Sequence, residues 1–473
     1  MTLPNTATRP ALERAVHHAS IWLDGLETRS VGATTSLEEL RARLGVPLGA
    51  RGVDPVRVVD ELAAATEGGL LGSPGGRFFA WVIGGTLEAA VAADWLTSAW
   101  DQNAGLYTTS PASAIAEEVA GAWLLELLDL PRDASFAFVT GCQMAHFTAL
   151  AAARDGVLRA AGWNVETDGL FGAPRVRVLA NATRHDSVDR ALRYLGIGER
   201  AVCEMSTDDD GRVTETSLKS ALDANPGPKI VILAAGDLNT GVFDPFRKLI
   251  PIAKAAGAWV HVDGAFGLMA RASKTKRHML DGVELADSWA TDAHKWLNVP
   301  YDSGIAIVRD REAHYTAMTV HASYLEASHA VRDEIDWNPE FSRRARGFAL
   351  YAALRELGRD GLEALIDRCC AHCHAIVTGI GALPGTEMLW EPELDQGLVR
   401  FLDPRPVATD AAHDAHTDAV IAAINATGEA FFAGVTWNGR RAMRISVVSW
   451  RTSDADVART IEATRRVLGE MTR

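Results

Sequence analysis

The sequence is short of several things that would settle its class at once. No stretch of about 18 uninterrupted apolar residues is present, so no membrane-spanning helix is expected. There is no block of lysines and arginines, and the net charge is -14 at pH 7, which argues against a nucleic-acid partner. The opening MTLPNTATRP has no charged segment running into an apolar one, so no secretory leader is expected. Cysteine is scarce: five residues, an odd number without framework spacing, suit thiols in a reducing compartment better than disulfides. Internal repeats and low-complexity segments are missing too. Together these absences imply a cytoplasmic protein.

What is present is a long chain with a large apolar share. At 473 residues and 48% apolar content it is not a disordered protein and has room for two or three domains. One cluster has metal-ligand residue types, Cys369-Cys370-Ala371-His372-Cys373-His374. It falls inside a helical stretch, 361–378, where Cys369/Cys373 and Cys370/His374 are i,i+4 pairs on adjacent faces. Zinc usually draws its ligands from two separated elements, so these thiols read as small packed hydrophobes and no metal is expected.

The chemistry concentrates between His261 and Asn298. Residues 258–263, AWVHVD, read as a short buried strand that delivers the carboxylate of Asp263 at its C-terminal end. A second strand, 288–291, delivers Asp292, His294 and Lys295 in the same way. Ligands of open α/β sheets bind along that edge. A strand-end aspartate followed about 30 residues later by a strand-end lysine is what pyridoxal phosphate requires, because the cofactor is held at two opposite points. The amine takes the aldehyde carbon, and the aspartate holds a proton on the ring nitrogen. Residues 136–139 read as another strand, and Thr140-Gly141-Cys142-Gln143 turns it into a helix whose free N–H groups would suit a phosphate. A cysteine at a helix start can have a lowered thiol pKa, although a small packed residue is the plainer reading of Cys142.

HVDGAF (261–266) and DAHKWLN (292–298) resemble the group II pyridoxal-phosphate-dependent decarboxylases, the aromatic-L-amino-acid and glutamate decarboxylase family. The resemblance covers nearly the whole chain after about residue 70. It implies fold type I of these enzymes: an α/β protein with a mostly parallel central sheet, helices on both faces, and a small α+β C-terminal domain. It also implies that His185, in RHDSVDRA, stacks on the cofactor ring, that Ala265 lies against the opposite ring face, and that Tyr324 is the catalytic-loop acid. Cys142, Gln143, Asp292 and His294 fall among the cofactor contacts, and Trp81, Gly84 and Tyr107 on the substrate side. This chain departs from the family at several of these places. Cys142-Gln143 stands where small and hydroxyl residues are usual, Asp186 where serine is frequent, Leu238 where a threonine is expected, and Val82-Ile83-Gly84-Gly85 where aromatic-type enzymes grip the substrate ring.

Coarse periodicity orders the rest. Residues 1–90 read as a helical segment, with amphipathic helices at 11–26 and 56–65, which the resemblance places across a partner subunit in a homodimer whose active site lies at the interface. Residues 91–350 read as the large cofactor-binding domain and 351–473 as the small one. Repeating β-α-β order implies a mostly parallel sheet. The expected reaction is decarboxylation of an L-amino acid to the amine and carbon dioxide. Trp81 and Tyr107 suggest an aromatic substrate, though a place in the core would account for both rings equally well. Aldehyde synthesis, transamination and aldol-type cleavage are the near rivals, and Tyr324 weighs against the first, since aldehyde synthases carry phenylalanine there. A non-catalytic or nucleotide-binding α/β protein is the remote one.

Overall fold

Short β-branched and aromatic runs bounded by Gly, Asn and Asp supply the strands of the larger sheet: β1 (Ser135–Val139), β2 (Arg177–Asn181), β3 (Val202–Met205), β4 (Lys229–Ala234), β5 (Trp259–Asp263), β6 (Ser288–Asp292) and β7 (Gly304–Val308). The computed structural model describes residues 9–319 and 331–471. The strand order is β1-β7-β6-β5-β4-β2-β3. Neighbours from β6 to β3 are parallel, and β7 runs antiparallel to both β6 and β1. Every residue of β1, β6 and β7 is buried, as in a sheet covered on both faces; β1 and β7 are almost wholly apolar, whereas β6 also buries Ser288, Thr291 and Asp292.

The pleat of β5 explains how that cover divides. Trp259, His261 and Asp263 lie on one face and Val260 and Val262 on the other, because successive side chains alternate. The helix Cys142–Ala160 packs on the first face; Gly156 leaves room there for the Trp259 ring, which an added Cβ would meet at 3.0 Å. Val260 and Val262 share an apolar core with Phe246 and Leu249 of the helix Phe246–Ala255 on the opposite side. Burying each such aliphatic side chain is worth about 1.5–3 kcal/mol.

A second sheet is antiparallel, in the order β10-β11-β9-β8, from β8 (Thr386–Trp390), β9 (Gln396–Phe401), β10 (Ala433–Trp437) and β11 (Arg440–Ser446). Helices Gly347–Gly381 and Asp410–Ala426 cover it and Asp454–Met471 packs against those two, which completes the α/β plus α+β architecture expected from the sequence. Two details differ from the expectation. β3 was not anticipated, because VCEM is too short and polar to signal a strand and pairs only as the sheet's edge. The helical stretch expected at 361–378 is part of a longer helix, Gly347–Gly381, broken at Gly358, whose φ of 59° is left-handed. In that helix Cys369, Cys370 and Cys373 are buried, with Cys373 Sγ directed at the Ile445 carbonyl (3.8 Å). His372 and His374 turn instead to Asp454 (3.0 Å) and Glu391 (3.2 Å).

Ahead of the sheets, helices Pro10–Asp24, Leu37–Leu44 and Pro55–Thr66 open with proline at the first turn or with a Ser36/Glu39 capping box. None of the three contains a buried residue. No helix among the described residues is long and apolar enough to cross a membrane.

Candidate active site

The C-terminal ends of β5 and β6 meet the N-terminus of the helix Cys142–Ala160 around a cavity of about 430 Å³. Three features place these elements so closely. Gly304 on β7 abuts Gly141, where an added Cβ would fall 2.4 Å from the Gly141 Cα, so the helix start can lie directly on the sheet. Asp292, the last residue of β6, accepts the Cys142 amide proton at 2.6 Å. The turn after Lys295 is closed by Asn298, fully buried with φ 51°. Its Oδ1 accepts from the Gly85 and Trp450 amides (2.9 and 3.0 Å), and its Nδ2 donates to the Trp296 and Val448 carbonyls (2.9 Å each).

Lys295 Nζ stands 3.3 Å from Asp292 Oδ2 and over the Phe266 ring at 5.9 Å. Burial works to lower the lysine, but Asp292, Cys142 and Asp263 outweigh it and hold the amine above its ordinary value. Asp292 shows the mirror effect: burial would raise it, and Lys295, His294 and the Cys142 amide pull it down. His294 lies 3.4 Å from Asp292 and stacks on Tyr301 at 4.2 Å. Across the cavity Asp263 accepts the Ala265 amide at 3.1 Å and faces His146 Nε2 at 3.5 Å. Burial again works upward on this carboxyl, and His146, Lys295 and the amide hold it well below the usual range.

Cys142 is a correction to the possibility of a lowered thiol. It is buried, and desolvation with the neighbouring carboxylates pushes the thiol well above its ordinary value. The helix it opens has no side-chain cap, and the first intrahelical bond runs from the Ala145 amide to Gly141. The Gln143 and Met144 amides are therefore directed out of the helix start, where the dipole favours an anion. The Gln143 side chain is held by Arg190 at 3.1 Å. His185 caps the helix Asp186–Tyr194, its Nδ1 accepting the Ser187 amide at 3.1 Å, and its exposed ring lines the cavity together with Ala265.

The structure thus gathers Cys142, Gln143, His185, Asp263, Ala265, Asp292, His294 and Lys295 around one cavity. Trp81 also lines it, half-exposed on a left-handed backbone with φ 57°. Gly84 and Tyr107 do not. Gly84 is packed under the lysine turn, where any Cβ would strike the Lys295 carbonyl at 2.1 Å, and the Tyr107 amide is tied to Asp333 at 2.7 Å. Tyr324 lies outside the described residues.

Two residues of the site were not singled out from the sequence. Arg444, from β11 of the smaller sheet, is largely buried with Nη1 on the Leu238 carbonyl (2.6 Å) and lines the cavity. His146 stands one turn into the helix between Ala145 and Phe147, where nothing local separates a functional imidazole from a core one. A lysine amine, a carboxylate placed across from it and an uncapped helix start around one cavity suit an aldehyde, a ring nitrogen and a phosphate, so the donor set fits pyridoxal phosphate.

Comparison with known proteins agrees. Residues 72–402 match the pyridoxal-dependent decarboxylase conserved domain. The chain is 31% identical over 386 residues to L-2,4-diaminobutyrate decarboxylase of Rhizobium meliloti (strain 1021), covering 79% of this chain and 74% of that protein. It is 26% identical over 400 residues to aromatic-L-amino-acid decarboxylase of Bacillus atrophaeus, covering 83% and 81%. The crystal structure of Oryza sativa TDC with PLP and tryptamine superposes with a TM-score of 0.92 at 25% identity over 100% of both chains. From site and comparisons together, the chain belongs to the pyridoxal-dependent decarboxylases: it uses pyridoxal phosphate and removes carbon dioxide from an amino acid.

Proposed function

We propose that the substrate is an L-amino acid with an uncharged, aromatic side chain and that the product is the amine. One observation carries this reading: apart from Arg444 and the cofactor contacts, the charged groups facing the cavity are already matched. Arg184 is paired with Asp189 at 2.8 Å. Asp237 accepts from the Asn239 and Thr240 amides and from the hydroxyls of Thr240 and Thr183. What remains for a side chain is the apolar surface of Trp81, Val82, Leu238 and Phe266.

Pyridoxal phosphate, when bound, supplies an electron sink for the charge left on the α carbon. The chain's own residues do the rest. Lys295, paired with Asp292, which His294 in turn contacts, would hold the aldehyde carbon, and the amides of the Gln143 turn would hold the phosphate. Asp263 would keep a proton on the ring nitrogen, and His185 and Ala265 would contact the ring. Arg444 and His185 receive the substrate carboxylate, and Tyr324 returns a proton to the α carbon.

The same reading includes a homodimer in the cytoplasm. Leu12, Ile21 and Leu62 of the N-terminal helices are 56%, 54% and 57% exposed, apolar surface that a second copy would cover. All five cysteines are unpaired, as suits a reducing compartment. Carbon dioxide release and amine formation from a panel of free L-amino acids test the substrate. Aromatic members should have the highest kcat/KM, and a higher value for aspartate or diaminobutyrate would overturn the assignment. Light scattering on the eluted protein should give twice the chain mass.

A further inference from the structure

Behind Asp263 runs a buried chain of polar side chains that the reaction as described does not use. His146 Nε2 faces Asp263 Oδ2, and its Nδ1 lies 2.9 Å from His261 Nε2. His261 Nδ1 is 2.9 Å from Ser288 Oγ, which also accepts the indole N–H of Trp259 at 2.9 Å. His146, His261 and Ser288 are all completely buried. Three elements build this line: the helix Cys142–Ala160 gives His146, β5 gives Trp259, His261 and Asp263 on one face, and β6 gives Ser288 directly opposite His261 in register.

The proton positions follow from counting donors. Indole N–H is a donor only, so Trp259 occupies one lone pair of Ser288 Oγ. The serine proton then has a partner only if it is donated to His261 Nδ1. That leaves the His261 proton on Nε2, donated to His146 Nδ1, and the His146 proton on Nε2, aimed at Asp263. Every donor and acceptor in the line is satisfied in this one arrangement, and burial makes a polar group left unpaired costly. Burial also keeps His261 well below its ordinary pKa, so it stays a neutral link.

Resting on the assignment of Asp263 to the ring nitrogen, we propose that His146 is a positioning residue: its Nε2–H, fixed in one tautomer by His261, Ser288 and Trp259, holds Asp263 ionised and aimed as the acceptor of the cofactor's ring proton. The groups facing His146 are Cys142 on its own helix, Sγ 3.4 Å from Nε2, and His261 and Asp263 on β5. His185 across the cavity and the Lys295–Asp292 pair beyond Asp263 complete its charged surroundings. The carboxylate is thereby gripped from both sides, by the Ala265 amide on Oδ1 and by His146 on Oδ2.

The test follows the ring-nitrogen NMR signal of isotope-labelled pyridoxal phosphate on the holoenzyme from mildly acidic to mildly alkaline pH. In His146→Phe the ring proton should be lost at lower pH than in wild type, and kcat should fall roughly 10-fold with KM changed far less. His146→Gln should largely restore both, since its amide can donate to Asp263 and accept from His261 at once. Ser288→Ala, remote from the cofactor, should shift the ring titration in the same direction by a smaller amount and serves if His146→Phe does not fold. Wild-type ring titration in His146→Phe, or in Ser288→Ala where that variant is used, overturns the proposal, as does an equal loss in His146→Phe and His146→Gln. Asp263→Asn separates the underlying assignment: an unchanged ring signal there removes Asp263 from the ring nitrogen and the proposal with it, whereas a changed signal beside an unaffected His146→Phe removes the relay alone.

Discussion

The turn that presents Lys295 depends on Asn298, and Asn298→Ala measures how much. The side chain makes four buried hydrogen bonds, to the Gly85 and Trp450 amides and to the Trp296 and Val448 carbonyls. Losing them at roughly 1 kcal/mol each costs about 4 kcal/mol. Alanine at φ 51° adds about 1–2 kcal/mol, which glycine would not incur. The expected loss is therefore about 5 kcal/mol, a large part of the roughly 5–15 kcal/mol by which native domains are stable. Urea unfolding of cofactor-free protein, followed by circular dichroism, gives the number. Asn298→Gly is the internal control: it loses the same four bonds but not the backbone strain, and after its extra chain entropy it should be more stable than the alanine variant by up to about 1 kcal/mol. Both variants should hold cofactor less tightly, because the lysine turn is no longer tied to residues 85 and 450. A loss under about 1 kcal/mol in Asn298→Ala would refute the reasoning, for it would mean that neighbouring backbone groups find other partners.

Lys295→Ala should abolish turnover and covalent cofactor attachment; borohydride reduction of the wild type followed by peptide mapping should place the pyridoxyl group on Lys295 and on no other lysine. Tyr324→Phe should still release carbon dioxide but consume oxygen and yield aldehyde, ammonia and peroxide in part, measured with an oxygen electrode and product analysis. Amine alone at the wild-type rate would take the acid role from Tyr324. Asp395, fully buried with carboxylate oxygens that take no hydrogen bond from another described residue, is pushed up to about 7 by desolvation. The folded state keeps its proton while the unfolded chain ionises, so this group costs stability increasingly as pH rises from the ordinary carboxylate range toward 7. Asp395→Asn should accordingly raise the melting temperature more at alkaline than at acidic pH, and an equal effect at both would show that Asp395 is not protonated in the native protein.

The cofactor-facing residues were legible because local signals carry them. A strand's end is marked by the switch from apolar to polar residues, so Asp263 and Lys295 could be assigned to one sheet edge without knowing the sheet. Cys142-Gln143 was legible for the same reason, as a turn between a strand and a helix. Arg444 was not, since its place in the cavity depends on how the smaller sheet packs against the 236–241 turn, and no pattern within RRAMRIS contains that information. His146 was hidden differently: its role depends on partners 115 and 117 residues away, His261 and Asp263, and one histidine on a buried helix face carries no mark of them. Tyr107 shows the converse, for the resemblance puts it on the substrate side, while within this chain its amide is held by Asp333 and its ring does not line the cavity.

The position of β1 has a consequence for how the protein comes to exist. It is an edge strand whose one ladder is with β7, Ser135 facing Val308, so its partner is synthesised 173 residues later. Chains emerge from the ribosome N-terminus first at about 5–20 residues per second. For roughly 8–35 seconds Phe136 and Phe138 must therefore remain without the strand that will neighbour them, next to a helix whose start cannot be seated until Gly304 arrives beneath Gly141. Such delayed, non-local pairing is slow and leaves apolar surface open to other chains. A nascent chain stalled before residue 304 would carry the helix that opens the cofactor cradle but not its floor. It should need a holding chaperone, and added cofactor should rescue yield only in chains that extend past β7.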